Sequence, residues 1–190
     1  MTSSISSYTQ SLSDKNGLQY VKEQTEEICL EAVKLNGLSL QYVKEQTEEI
    51  CLTAVKQNGL ALKFVKTQTK DICLEAVKKN GYVLKYVQKQ TEDICLEAVK
   101  KNDLSLQFVK EQTEEICLAA VRHNGFALQY VEDQTEEICL AAVNENCDAR
   151  QYIMWNLNRN ILDNSLLLSY ETGNGSKANP YKITYFNFDS

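Results

Sequence analysis

Six cysteines return at one interval: Cys29, Cys51, Cys73, Cys95, Cys117 and Cys139 stand 22 residues apart without exception. A ladder of thiols could ligate a metal, pair as disulfides or supply a nucleophile. Zinc sites draw on Cys or His pairs two to four residues apart, and this spacing offers none. Stacked helices lie about 8–10 Å apart, beyond the roughly 7 Å between Cα atoms that a disulfide can bridge. Each cysteine sits instead between Ile and Leu, where a free thiol packs as a small hydrophobe, and reduced cysteines fit a cytosolic setting. A nucleophile needs an adjacent base, yet the single histidine, His123, falls at a variable position near a predicted helix end. Paired carboxylates such as Glu48 and Glu49 could do acid–base work, but they occupy first helical turns, where negative charge complements the helix dipole. There is no glycine-rich phosphate loop. The residues therefore predict no catalytic centre, no metal and no cofactor.

A second column recurs at the same step: Tyr20, Tyr42, Phe64, Tyr86, Phe108, Tyr130 and Tyr152. Solenoids that read RNA stack one base per repeat. Here the ring lies in an apolar stripe and Phe replaces Tyr freely, so core packing is the expected role. The net charge of −6 agrees, because nucleic-acid binding needs a basic surface. Positions that change from unit to unit must look outward. One set is Gln41, Lys63, Lys85, Gln107 and Gln129; a second is Lys44, Lys66, Gln88, Lys110 and Glu132; a third is Glu31, Thr53, Glu75, Glu97, Ala119 and Ala141. Lys63, Lys66, Lys85 and Lys89 make the middle basic, whereas Glu132 and Asp133 make the end acidic. These positions form a solvated face. As a functional surface they would bind an extended acidic protein partner across Gln41, Lys44, Lys63, Lys66, Lys85, Lys89, Gln107, Lys110 and Gln129.

The elements that position these columns can be read from one unit, "NGLSLQYVKEQTEEICLTAVKQ", Asn36 to Gln57. Thr47 is a good N-cap, Glu48 and Glu49 fall in the first turn, and Lys56 lies in the last, where a cation is favoured. "ICLTAV" then gives a broad apolar helical face through Ile50, Cys51, Ala54 and Val55. Asn58-Gly59 should stop the helix with glycine in the left-handed conformation, and Asn58 can also cap the next helix. Leu60, Phe64 and Val65 at helical spacing predict a helix of about two turns from Leu60 to Thr67, followed by one of nearly three turns from Lys70 to Lys79. Helices this short are unstable alone in water, which is the reason for repetition: each buries its face on its neighbours. The expected fold is all-α, an α-solenoid of two-helix repeats.

The array spans 16–153 as six full units and a degenerate terminal half-unit. The first unit is two residues short before Tyr20, and in "NCDARQYI" Cys147 replaces the glycine while Asp148 and Arg150 replace leucines, as suits a cap facing water. Residues 1–15 read as a flexible segment. Residues 154–190 read as a cap, with Trp155 and Leu157 covering the core, and as a β-hairpin of "LLLSYE" with "YKITYFNFD" that docks on the solenoid or on another chain. A lone proline, Pro180, fits the helical chain. No apolar run reaches the roughly 20 residues that span a bilayer. The opening has no basic and apolar signal regions, Thr2 excludes myristoylation and "NFDS" is not a prenylation box, so the expectation is a soluble intracellular protein.

The unit "NGLALKFVKTQTKDICLEAVKKNG", Asn58 to Gly81, resembles the tandem "domain of unknown function" helical repeats of mimivirus-like giant viruses of amoebae and of some amoeba-associated bacteria. The resemblance covers roughly Asn16 to Ile153. It implies a viral protein of the host cytoplasm or the virion, and it carries no established chemistry. The combined expectation is a non-enzymatic protein-binding scaffold in virus–host or viral protein interaction. The alternative is a structural or virion-associated protein that self-assembles through its ends or tail.

Overall fold

The computed structural model describes residues 17–154, and among them 3-10 helices alternate with α-helices and no strand occurs. The 3-10 helices are η1 (Gly17–Tyr20), η2 (Gly37–Tyr42), η3 (Gly59–Phe64), η4 (Gly81–Tyr86), η5 (Asp103–Phe108), η6 (Gly125–Tyr130) and η7 (Cys147–Tyr152). The α-helices are α1 (Glu26–Leu35), α2 (Glu48–Gln57), α3 (Lys70–Lys79), α4 (Glu92–Lys101), α5 (Glu114–His123) and α6 (Glu136–Glu145). The segment 1–15, and the predicted cap and hairpin beyond Met154, lie outside the described residues.

Each α-helix starts at a threonine. Thr47 holds an extended backbone (φ −86°, ψ 161°) and accepts the Ile50 N–H, satisfying one of the first-turn donors that have no partner inside the helix. Ile50, Cys51, Ala54 and Val55 are buried, so the predicted face is the one that packs. At 10 residues the helix is shorter than the ~12–15 needed for stability in isolation. Its stability comes from its neighbours.

The other half of the unit departs from the expected α-helix. The predicted two-turn helix over Leu60 to Thr67 is the 3-10 helix Gly59–Phe64. Side chains three apart eclipse in a 3-10 helix, so Gly59 and Leu62 share the inner edge with Val65 just beyond, and Ala61 is buried beside them. Leu60 is 36% exposed and Phe64 is only half-buried, so of the predicted stripe Leu60, Phe64 and Val65 only Val65 joins the packed core.

The left-handed glycine stop is also overturned. Asn58 turns the chain by itself in an extended conformation (φ −147°, ψ 110°). Its N–H closes α2 on the Ala54 carbonyl, while its Oδ1 accepts the Leu60 N–H at 3.0 Å and opens η3. Gly59 is required by close approach: a Cβ there would lie 2.7 Å from the Ala76 carbonyl oxygen, and at Gly81 it would lie 2.4 Å from that of Ala98. Asp103 fills the corresponding place in the next unit. There η5 rests more loosely on α5 than η2, η3, η4 or η6 rest on the α-helices that follow them.

Each α-helix packs on the next and each 3-10 helix on the next, giving two rows with one continuous apolar core from Leu18 to Ile153 between them. The α-helices all point the same way. Thr47 Oγ1, at the start of α2, donates to Glu26 at the start of α1 (2.8 Å). Beyond the end of α1, the Gly37 N–H donates to Gln57 Oε1 at the end of α2 (2.7 Å). The molecule is a helical-repeat solenoid with one long edge of α-helix N-termini and an opposite edge of C-termini. No helix among the described residues is long and apolar enough to cross a membrane.

Candidate interaction surface

Side chains that hold the array together have to be separated from those left free to bind. The central joint is a glutamine. Gln46 lies between η2 and α2, and its amide reaches into the next unit: Nε2 donates to the Phe64 carbonyl (3.0 Å) and Oε1 accepts the Lys66 N–H (2.9 Å). Gln24, Gln68, Gln90, Gln112 and Gln134 repeat both bonds, at 2.8–3.1 Å, onto the two corresponding backbone groups of their neighbours. The carbonyl ends each 3-10 helix and the N–H lies two residues beyond it, so the glutamine satisfies a half-buried acceptor and a more exposed donor. Sequence reasoning gave these glutamines no role, although their recurrence in all six units was visible.

A second joint runs along the N-terminal edge. Thr47, Thr69, Thr113 and Thr135 each donate to a glutamate of the preceding helix, Glu26, Glu48, Glu92 and Glu114, at 2.8–3.1 Å. The first glutamate of each pair therefore links units besides complementing the dipole. Lys70 breaks the series: Thr91 turns to Asp93, makes no side-chain cap bond, and Lys70 pairs with Asp93. The Lys70 ammonium, with Thr91, holds the Asp93 carboxyl down at about 2.

The cysteine column is buried, as core packing predicts, and its thiols face the joint. Cys51 Sγ lies 3.6 Å from Gln46 Oε1, and the other five keep the same contact at 3.5–4.0 Å. Burial pushes all six thiols up, to about 11 at Cys95, Cys117 and Cys139. A raised pKa is the opposite of what a nucleophile needs. Cys147 is exposed. The aromatic column is not core: apart from the 80% exposed Tyr20, its rings are half-buried against the core's edge, because they follow the 3-10 rather than the α period.

The predicted partner residues are all exposed, but most have neighbours of their own. Lys44, Lys66 and Lys110 extend their ammonium groups to the Lys22, Lys44 and Gln88 carbonyls of the preceding unit, at 3.2, 2.6 and 3.2 Å. Gln41, Gln107 and Gln129 donate back to carbonyls in the first turn of their own 3-10 helices (2.8–3.1 Å). The Lys63 ammonium lies 4.5 Å from the Phe64 ring centre, and that of Lys85 5.0 Å from Tyr86. Such contacts contribute about 0.5–1 kcal/mol at exposed sites, weak enough for a partner to displace. Lys89 makes no side-chain hydrogen bond or ion pair with any described residue. The structure brings these residues to the 3-10 row and the linkers beside it.

The strongest charge asymmetry lies elsewhere. First turns on the N-terminal edge carry Glu26, Glu27, Glu48, Glu49, Glu114, Glu115, Glu136 and Glu137. Last turns on the opposite edge carry Lys34, Lys56, Lys78, Lys79, Lys100, Lys101, Arg122 and His123. A groove of about 680 Å³ runs along α6, bordered by Arg122, Glu137, Leu140 and Ala141. Among the described residues no three His, Cys, Asp or Glu side chains converge as a metal site would require.

The family described as "Domain of unknown function (DUF4116)" matches the chain at residues 25–70, 47–91, 69–113 and 113–158. Each matched stretch covers about two of the structural units. No curated protein and no solved structure matches the chain.

Proposed function

The chain belongs to the DUF4116 family, whose description names no activity, and from its geometry we propose that it is a non-enzymatic protein-binding scaffold. One observation carries this reading. Within each unit the interlocking positions are identical in all six copies, Gln24, Thr25, Cys29 and Asn36 and their successors, whereas the exposed positions on the 3-10 row, the linkers and the helix ends change. An array held by uniform joints and faced with varied side chains presents an extended surface whose chemistry changes along its length, which is how stacked-repeat proteins engage partners. The buried high-pKa thiols and the acidic pairs committed to helix ends supply no poised acid, base or nucleophile. The likeness of the "QTEEICL" unit to giant-virus repeats supports a setting in viral or virus–host protein interaction.

The test is affinity capture with the full chain from infected or expressing cells, followed by reconstitution with the purified partner. The expected result is a stoichiometric complex that survives washing and re-forms from pure components. Sedimentation of the chain alone is the companion measurement. Growth of the sedimentation coefficient with concentration, together with failure to reconstitute any complex, would replace the scaffold with a self-assembling structural protein.

A further inference from the structure

On that scaffold reading, we infer that the edge of α-helix C-termini from α2 to α5 is the docking row, and that its occupant is an extended protein segment with a carboxylate at about every third residue. The row is Lys56, Lys78, Lys79, Lys100, Lys101 and Arg122. One cation per last turn would suit the helix dipole; α3 and α4 carry two each. Lys56, Lys79, Lys100 and Lys101 are exposed and make no side-chain ion pair or hydrogen bond with any described residue. Lys78 is held only by Glu75 at 3.4 Å and Arg122 only by Glu137 at 3.5 Å among the described residues, both exposed pairs of small worth. By contrast, three lysines of the linker edge, Lys44, Lys66 and Lys110, are engaged with neighbouring carbonyls. The acids near the row are Glu75 and Glu97, one turn back along α3 and α4, Asp103, which faces Asn124 and His123, Glu137, which pairs with Arg122, and Glu145 at the end of α6. The row ends at α6, whose last turn holds no basic residue.

The spacing of the partner is set by the stacking. Neighbouring helices lie about 8–10 Å apart, and a partner in the extended polyproline II conformation advances about 3.1 Å per residue with three residues per turn, so one unit matches three partner residues and every third side chain faces the row. Four units then read about twelve residues. A nucleic acid fits less well. The chain is net negative and the opposite edge is lined with carboxylates, whereas a nucleic acid needs a basic surface.

Fluorescence anisotropy of the full chain with labelled peptides tests this. The probe is a peptide of about twelve residues with glutamate at every third position among serines. The comparators are a peptide with its glutamates clustered at one end, and a single-stranded oligothymidine. The combined variant Lys79→Gln, Lys100→Gln, Lys101→Gln removes charge from the row, and Gln19→Glu, Lys22→Gln, Thr67→Glu makes the same net change at sites outside it. The spaced peptide should bind at low salt, and the row variant should weaken it by about tenfold or more. The second variant should leave it within about twofold, with both variants keeping the native circular dichroism. Equal binding by the row variant, tighter binding of the clustered peptide, or no binding of the spaced peptide at low salt would each overturn the proposal. Preferred binding of oligothymidine would do so in favour of a nucleic acid. If the row variant still reconstitutes with a captured partner, the row is wrong and the scaffold stands; if no partner reconstitutes with the unaltered chain, the scaffold itself is wrong.

Discussion

At the scale of single residues, the joint glutamine matters more than the cysteine that first catches the eye. Gln90 satisfies the Phe108 carbonyl and the Lys110 N–H of the next unit at 2.8 and 3.0 Å. Gln90→Ala strips both partners at once and is expected to cost about 1–3 kcal/mol, chiefly for the half-buried Phe108 carbonyl, since water can take the exposed Lys110 N–H, read from urea unfolding. Gln90→Glu is the sharper variant. Its carboxylate would face the Leu84 and Phe108 carbonyls, which raises its pKa, so stability present in acid is lost as pH rises through that value. Its unfolding midpoint should approach that of the unaltered chain at about pH 4 and fall away at about pH 7, and no dependence on pH would refute the joint. The thiols give a second expectation. A maleimide at neutral pH should label the native chain at Cys147 alone and the unfolded chain at all seven cysteines. Because burial raises the six thiols above 9.0, folded and unfolded states are equally protonated below that pH. Above it the unfolded chain ionises first, so stability falls from about pH 9 towards about 11, and a melting temperature flat across that window would contradict the burial.

At the scale of the element, the two halves of the unit are legible in the sequence to different degrees. The α-half is readable because its signals are local: Thr47, Glu48, Glu49 and Lys56 lie within or beside one ten-residue helix and act on its own ends. The 3-10 half reads wrongly as α, since over six residues the periods 3.0 and 3.6 differ by less than one position and only burial tells them apart. Gly81 shows how tight the resulting contact is. Gly81→Ala would place a methyl group 2.4 Å from the Ala98 carbonyl oxygen and 2.7 Å from Ser105 Oγ, and should destabilise by about 1–3 kcal/mol through overpacking. Calorimetry showing an unchanged or raised melting temperature would mean that the two rows can part freely. The loose seat of η5, where Asp103 stands in for glycine, shows one place in this chain where a side chain at that position goes with a wider contact. The partner surface is half legible. Exposure follows from variation between units, but the carbonyls that Lys44, Lys66 and Lys110 reach are backbone atoms 22 residues away and leave no mark in composition.

At the scale of the whole molecule, every glutamine joint between units links the same kinds of atom at the same offset, so a unit can be taken out without creating a new kind of junction. Deleting residues 58–79 would present the Tyr86 carbonyl and the Gln88 N–H to Gln46 in place of those of Phe64 and Lys66. The shortened chain is expected to keep its helicity per residue in far-ultraviolet circular dichroism, with a modestly lower melting temperature as nearest-neighbour stacking requires. Deleting half that length should unfold the array. Whole-unit steps of 22 residues therefore preserve the glutamine joint whatever the number of copies, so the reach of the array can be set by copy number without inventing a new seam.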